Sequence, residues 1–451
     1  MLRGDPAHDH KGETAVILQY IQLQRPRHVF ADGKSSTGAF QGLRQFGPYS
    51  GGDCPSEPTT VFVYPRELRE QARKLYLSLR DGIGPFKGTM PLLRYPLPST
   101  KVIRVDEFTT SGLNAEESAT RYKEAVEGWL ASGGRADIAL ILHPKTEREN
   151  QRNPYLTSKF PLLRAGIPSQ VVTTDLLAKK DVFEWSAATI ALAMLAKMGG
   201  VPWGVQSELP EDTIIVGVNR AVVRGASGAL LRHYGFASTF SHQGVYLGTR
   251  LFTPADSKQA YLSGLEQALT DALEDWRSDA GDVPANLVIH VRKELSRDET
   301  TILERVLSSA PSSLVRSYAV LKIVDAQEAL IWNPNQKDNQ LPPAGVLVRL
   351  TGRRGLLQVT GLSDDSSAGK LVSHPFSLKL LASSPSAPAF EVLAENVLAM
   401  AAMNWRALNA EAIPVSIRYP QLVAELLGRF HESGFDVRQL PPEVMRRPWF
   451  L

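Results

Sequence analysis

The chain has 451 residues, of which 43% are hydrophobic and 22% charged, with a formal net charge of +3. Such a length supports two or three domains with real cores, and the near-neutral balance excludes a surface that is a polycation throughout. The single Cys54 excludes an internal disulfide and a cysteine-rich zinc site, and no stretch reaches the ~18 apolar residues of a membrane-spanning helix.

The opening residues, MLRGDPAHDHKGE, carry no apolar signal-peptide core. With one cysteine, this predicts a reducing, cytoplasmic setting. The first hundred residues mix Gly/Pro-rich segments such as FGPYSGGDCPSEP (46–58) with apolar strands such as TTVFVYP (59–65). A helix is predicted over 65–80. An alternation follows: helix 114–131, strand 137–142, a helix carrying Tyr155 and Lys159, a strand near 170–173, and helix 186–198. Gly199-Gly200 ends that last helix. Strands alternating with helices predict a parallel, Rossmann-like sheet.

Composition shifts at VPWGVQSELPED (201–212), which divides the chain into 1–205 and 206–451. The second part opens with strand 213–221 and a hairpin over 236–252. Helix 257–276 places Leu262, Leu265, Leu269, Leu273 and Trp276 on one face. Strand 286–291, helix 298–310, strand 318–324 and hairpin 345–360 come next. SDDSSAGK (363–370) and ASSPSAPA (382–389) read as loops. Helix 392–408, strand PVSIRY (414–419) and helix 421–432 close the chain. A meander, then β/α alternation, then helices is an RNase-H-like plan, so the fold class is α/β throughout.

Four polar residues stand out: Tyr155, Lys159, Gln170 and Lys197. Tyr155 and Lys159 are four apart and share a helix face. Gln170 follows a Gly-Ile-Pro turn at the start of a strand. Lys197 closes a helix. Together they offer an aromatic platform, two cations and an amide, a set suited to the 5′ end of a nucleic-acid strand. Taken singly, Tyr155 and Lys159 read as a surface pair, and Lys197 as a lysine answering the helix dipole.

At these residues the chain resembles a known family. It looks like a short prokaryotic Argonaute, a MID domain (1–205, with its N-terminal segment) followed by a PIWI domain (206–451). The signatures are GLRQFGPYS (42–50), NPYLTSKFPLLRAGIPSQVV (153–172), AKMGGVPWGV (196–205), TIIVGVNRA (213–221), NLVIHVRKELSRDE (286–299), GLLQVTG (355–361) and NWRALNAEAIPVSIRYPQLVAELL (404–427). The resemblance implies that Tyr155 stacks on the first guide base, worth about 1–3 kcal/mol. It implies that Lys159 and Lys197 neutralise a 5′ phosphate. Gln170 would bind the phosphate and, with the carboxylate of Leu451, a Mg²⁺ ion, which prefers oxygen ligands. The apolar tail RRPWFL (446–451) predicts a buried C-terminus.

Active PIWI domains cut with acidic residues and two metal ions. Here the matching positions are Asn219, Arg292 and Gln421. None is acidic, which predicts a domain that binds a guide–target duplex without cutting it. Arg220, Arg349, Arg353 and Arg354 are candidates to line the duplex channel. The resemblance further implies a short guide RNA, complementary invader DNA, and an APAZ-containing effector partner such as a sirtuin-like or TIR NADase or a nuclease. Two alternatives stay open. One is an active endonuclease using Asp325, Asp364 or Asp365. The other is an unrelated α/β protein that binds a nucleotide or sugar phosphate.

Overall fold

The structure, a computed structural model, describes residues 19–145, 153–224, 230–251, 258–281, 283–309, 314–332, 342–360, 374–409 and 413–451. Three short strands come first: β1 (Gln19–Gln22), β2 (His28–Val29) and β3 (Ser35–Ser36). Then follow β4 (Thr60–Val63), β5 (Val102–Val105), β6 (Ile138–His143), β7 (Ser169–Thr173) and β8 (Gly204–Val205). The remaining strands are β9 (Thr213–Arg224), β10 (Leu230–Ser241), β11 (Tyr246–Leu251), β12 (Ala285–Val291), β13 (Val315–Asp325), β14 (Val346–Thr351), β15 (Arg354–Leu357) and β16 (Phe376–Ser383).

The apolar runs TVFV and IALILH are buried at every residue. Such strands need cover on both faces, as a parallel sheet provides. They form the centre of a four-stranded parallel sheet in the order β5-β4-β6-β7. Helix Ala115–Ala131 begins at a capping box in which Asn114 and Glu117 satisfy each other's backbone N–H groups. Its buried Tyr122 and Val126 pack on one face of the sheet with Val61, Val63, Ala139 and Ile141. This is the Rossmann-like unit expected from the sequence.

The second sheet has nine strands, ordered β1-β14-β15-β16-β13-β12-β9-β10-β11. Its middle, β9-β12-β13, is parallel, and antiparallel strands extend it on both sides. The leucine face read on 257–276 is real. Leu262, Leu265, Leu269 and Leu273 are buried in a core that also contains Ile302, Leu303 and Val306 of helix Arg297–Ser309. The opposite sheet face carries helices Phe390–Ala401 and Val415–Glu432, whose core is continuous with that of the first unit. Among the described residues no helix is long and apolar enough to cross a membrane.

Four expectations need correction. The division at 205/206 is crossed by β1, which pairs antiparallel with β14 and edges the second sheet. PVSIRY is not a strand. Residues 415–432 form one helix with Pro420 inside it. Val, Ile and Tyr favour strands, and an internal proline normally ends a helix. Here the tertiary packing absorbs the break. Pro420 has no N–H to offer the carbonyl of Ser416, and that carbonyl faces Gly217 of β9. A Cβ at Gly217 would overlap the Ser416 oxygen. A missing donor and a missing side chain thus let this helix press onto the sheet. Finally, β16 overlaps the stretch 382–389 read as a loop, and the helix predicted to 408 ends at Ala401. The stretch 363–370 lies outside the described residues.

His290 sits at this same contact. It is fully buried, its Nδ1 lies 2.8 Å from the Ser416 hydroxyl, and its Nε2 has no hydrogen-bond partner among the described residues. Burial holds its pKa down to about 3. The unfolded imidazole titrates near 6.5, so protons bind the unfolded chain first. This stability is whole above about pH 6.5 and is lost as the pH falls toward 3. From pH 7 to 5 the loss is about 2 kcal/mol from His290 alone. Urea unfolding at the two pH values should show it, and His290→Leu should flatten the dependence. Equal slopes in both proteins would refute the assignment.

Candidate nucleic-acid interface

Helix Pro154–Arg164 starts where the Asn153 side chain accepts from the Leu156 N–H, with Pro154 at the first position. Tyr155 and Lys159 follow one turn apart. Beside this helix runs β7, which carries Ser169 and Gln170. Lys197 is the last residue of helix Lys180–Lys197. The fold brings all four residues together.

Lys159 and Lys197 are each only 1% exposed. Both ammonium groups donate to one acceptor, the Ser169 carbonyl, at 3.2 Å and 2.9 Å. Lys197 also donates to Gln170 Oε1 at 2.7 Å. Lys159 also donates to the carbonyl of Trp449 at 3.3 Å. Every one of these acceptors is a neutral oxygen. Burial pulls the Lys159 ammonium down to a pKa of about 7. Burial, then Lys159 and Arg406, pull Lys197 well below its ordinary value. Two desolvated cations side by side are costly unless an anion joins them.

Tyr155 forms the half-buried wall of this site. Lys159 Nζ lies 5.6 Å from its ring centroid and the Arg429 guanidinium 5.4 Å. Arg429 belongs to helix Val415–Glu432, and the sequence reading missed it. The C-terminal tail enters as expected. Trp449 is fully buried and Phe450 nearly so. Leu451 packs against the main core. Its carboxylate lies at most about 7 Å of chain beyond the Trp449 carbonyl that Lys159 holds.

The three non-acidic positions also converge. Val218 of β9 is in register with Val291 of β12. Asn219 and Arg292, one residue further along each strand, line one small cavity with Tyr261, Lys293 and Glu299. Arg292 donates to Gln421 Oε1 at 3.2 Å and to Asp325 Oδ2 at 3.3 Å. The buried Glu299 accepts from Lys293 at 2.7 Å, from the Tyr261 hydroxyl at 2.9 Å and from the Ser296 N–H at 2.8 Å. Burial alone would raise its pKa, but Lys293 and Ser296 hold it down to about 2. Glu294, two residues past Arg292, is held by Lys322 and Lys379 at 3.0 Å each. Among the described residues no three His, Cys, Asp or Glu side chains are grouped to hold a metal ion. Asp364 and Asp365 lie outside the described residues.

The candidate channel arginines fall into two places. Arg220 is on β9, and its side chain lies outside the described set. Arg349, Arg353 and Arg354 are on the β14–β15 hairpin, four to five strand spacings from β9, roughly 19–24 Å. Arg349 is paired with Glu391, and Arg353 donates to the Leu380 carbonyl at 3.1 Å. Arg354 is exposed.

Residues 147–432 match the Piwi domain family. The chain belongs to the Piwi family. It is 27% identical over 456 residues to a protein argonaute of Cereibacter sphaeroides, covering 93% of this chain and 57% of the relative. It is 24% identical over 309 residues to a Piwi protein of Archaeoglobus fulgidus, covering 63% of this chain and 69% of that protein. The structure of Clostridium butyricum Argonaute bound to a guide DNA and a 19-mer target DNA is similar, with TM-score 0.70 at 16% identity. That match covers 91% of this chain and 53% of the other. The chain thus spans little more than half the length of two of these relatives. The Piwi match includes both the Tyr155–Lys197 pocket and the Asn219–Arg292–Gln421 cluster, while the tail that Lys159 holds lies beyond it.

Proposed function

We propose that this Piwi family chain binds the 5′-phosphorylated end of a short guide, RNA by preference, and pairs it with complementary DNA without cutting that DNA. One observation carries the reading. Two buried ammonium groups share the Ser169 carbonyl and, among the described residues, donate to neutral oxygens. A phosphate brings the missing negative charge and several acceptor oxygens. Tyr155 beside them offers a π face to the first base.

The oxygens at the pocket fit a hard divalent ion. Gln170 Oε1 keeps a second lone pair beside the one Lys197 uses, and Leu451 follows two residues after the Trp449 carbonyl that Lys159 holds. Gln170 and Leu451 would hold Mg²⁺ there, and the ion would add positive charge for the 5′ phosphate. Because Lys197 already sits on Gln170, the ion and the phosphate should bind together.

The proposed lack of cleavage is supported by the Arg292 guanidinium, which bridges Gln421 and Asp325 at the carboxyl ends of β12 and β13. Asp325, one acid of the alternative endonuclease reading, is thereby neutralised. We place the chain in the cytoplasm and in a short Argonaute defence system. There, guide-directed recognition of invader DNA would activate an APAZ-effector partner.

The test is equilibrium binding of one short RNA with and without a 5′ phosphate, in Mg²⁺ and in EDTA, followed by addition of labelled complementary DNA. Preference for the phosphorylated guide, weakened by EDTA, with intact target, is expected. Equal binding of both guides would remove the pocket assignment. Mg²⁺-dependent target cleavage would favour the endonuclease.

A further inference from the structure

The two faces of the nine-stranded sheet are covered unequally. On one face, Leu347 of β14, Leu357 of β15 and Leu378 of β16 are fully buried in the core that contains helix Phe390–Ala401. On the other, the core under helices Lys258–Ala280 and Arg297–Ser309 reaches Val320 of β13 and touches Leu381 and Ala382 of β16. Past those contacts the second face is only half-buried at Val348 of β14 and Leu356 of β15, and Tyr20 of β1 is 72% exposed.

Register shows what this open area carries, because residues directly opposite each other across a ladder share a face. Lys322 of β13 lies opposite Lys379 of β16, and Lys379 lies opposite Arg354 of β15. Three cations therefore form one row across three adjacent β-strands, about 10 Å from first to last. Glu294 reports the same arrangement, since its carboxylate accepts from both lysines at 3.0 Å. That single carboxylate leaves the row with a positive excess, and among the described residues Arg354 has no carboxylate partner. A second row runs beside the first, two residues and about 7 Å away. In it Tyr20 lies opposite Val348, Val348 opposite Leu356, and Leu356 opposite Ser377. The basic row starts next to the degenerate cluster, for Lys322 is opposite Val291, the residue before Arg292.

The excess charge names a polyanion. The exposed phenol ring beside it names one whose bases are free to stack. A duplex keeps its bases stacked inside and would meet only the cations, whereas proteins that hold unpaired strands combine cations along the backbone with aromatic rings under the bases. We propose that the open face of β13, β16, β15, β14 and β1 is a platform for a single nucleic-acid strand, with phosphates on Lys322, Lys379 and Arg354 and a base on Tyr20. In the guide-loaded chain that strand is the unpaired flank of the target, leaving the duplex beside Arg292. This last assignment rests on the guide–target reading above, and the platform itself does not.

The platform is tested by fluorescence anisotropy of a short labelled oligothymidylate without a 5′ phosphate, titrated with the guide-free full chain over a series of salt concentrations. Arg354→Ala combined with Lys379→Ala should weaken binding at least about tenfold at low salt. It should also lower the slope of log affinity against log salt by about 1.4, since each phosphate contact on a single strand contributes about 0.7. Tyr20→Ala should weaken binding about fivefold or more with an unchanged slope. The three side chains lie outside the buried cores, so the variants should melt with the wild type. In a second arm, the guide-loaded wild type should hold a target with an unpaired flank more tightly than one without, and the triple variant should lose that advantage. Oligothymidylate binding that depends on this face, in a chain indifferent to the guide's 5′ phosphate, would uphold the platform while the guide reading failed. Variants that bind the oligonucleotide like the wild type, or a wild type that does not bind it, would overturn the proposal.

Discussion

Replacing Lys159 and Lys197 together by methionine is expected to weaken binding of a 5′-phosphorylated guide by about 10²–10⁴-fold. Each charge-assisted phosphate contact contributes about 1.5–3 kcal/mol, and the pair therefore about 3–6 kcal/mol. Stability should move little. Both lysines are 1% exposed, and exchanging a buried charge for an apolar side chain of similar length removes a desolvation cost. Against that, the Ser169 carbonyl and Gln170 Oε1 lose their donors. The two terms oppose, leaving a net change under about 2 kcal/mol. Guide titration and urea unfolding on one preparation separate the effects. A folded double variant that binds the phosphorylated guide as tightly as wild type would sink the pocket reading.

Ending the chain at Pro448 is expected to act mainly on the fold. Trp449 is fully buried and Phe450 is 6% exposed. The Phe450 ring stands edge-on to Tyr419 at 5.2 Å and to Tyr246 at 5.9 Å. Removing a buried aromatic side chain costs about 3–5 kcal/mol, so the pair costs about 6–10 kcal/mol. That is comparable to the whole stability of a typical domain, about 5–15 kcal/mol. The truncated chain should lose its cooperative melt or melt far lower. It should also bind guide poorly, because Lys159 loses the Trp449 carbonyl that helps place it. A melting curve like that of the full chain would show that the tail is dispensable to the core.

The elements set by local pattern were legible. The helix starting at Asn114, the leucine face from Leu262 to Leu273, and the buried runs of β4 and β6 all follow from residues within one or two turns of each other. The four pocket residues were legible for the same reason. Tyr155 and Lys159 share a helix turn, Gln170 opens a strand, and Lys197 closes a helix. The helix at 415–432 was not legible. Its β-favouring residues and Pro420 argue locally for a strand and a stop, and only Gly217, about two hundred residues earlier, makes room for the helix. Strand β1 was also missed, because its partner β14 lies in the other half of the chain.

By itself, then, the sequence determined the two α/β units, most of their helices and strands, and the residue types of the Tyr155–Lys197 pocket. Periodicity and capping act over a few residues, so they survive in the linear text. Tertiary structure alone decided that two lysines 38 residues apart share one carbonyl, and that Trp449 reaches Lys159. It also decided that Arg429 covers Tyr155, and that Arg292 bridges Gln421 and Asp325. These contacts join side chains whose positions depend on sheet order and helix packing, and neither is written in the spacing of any one segment.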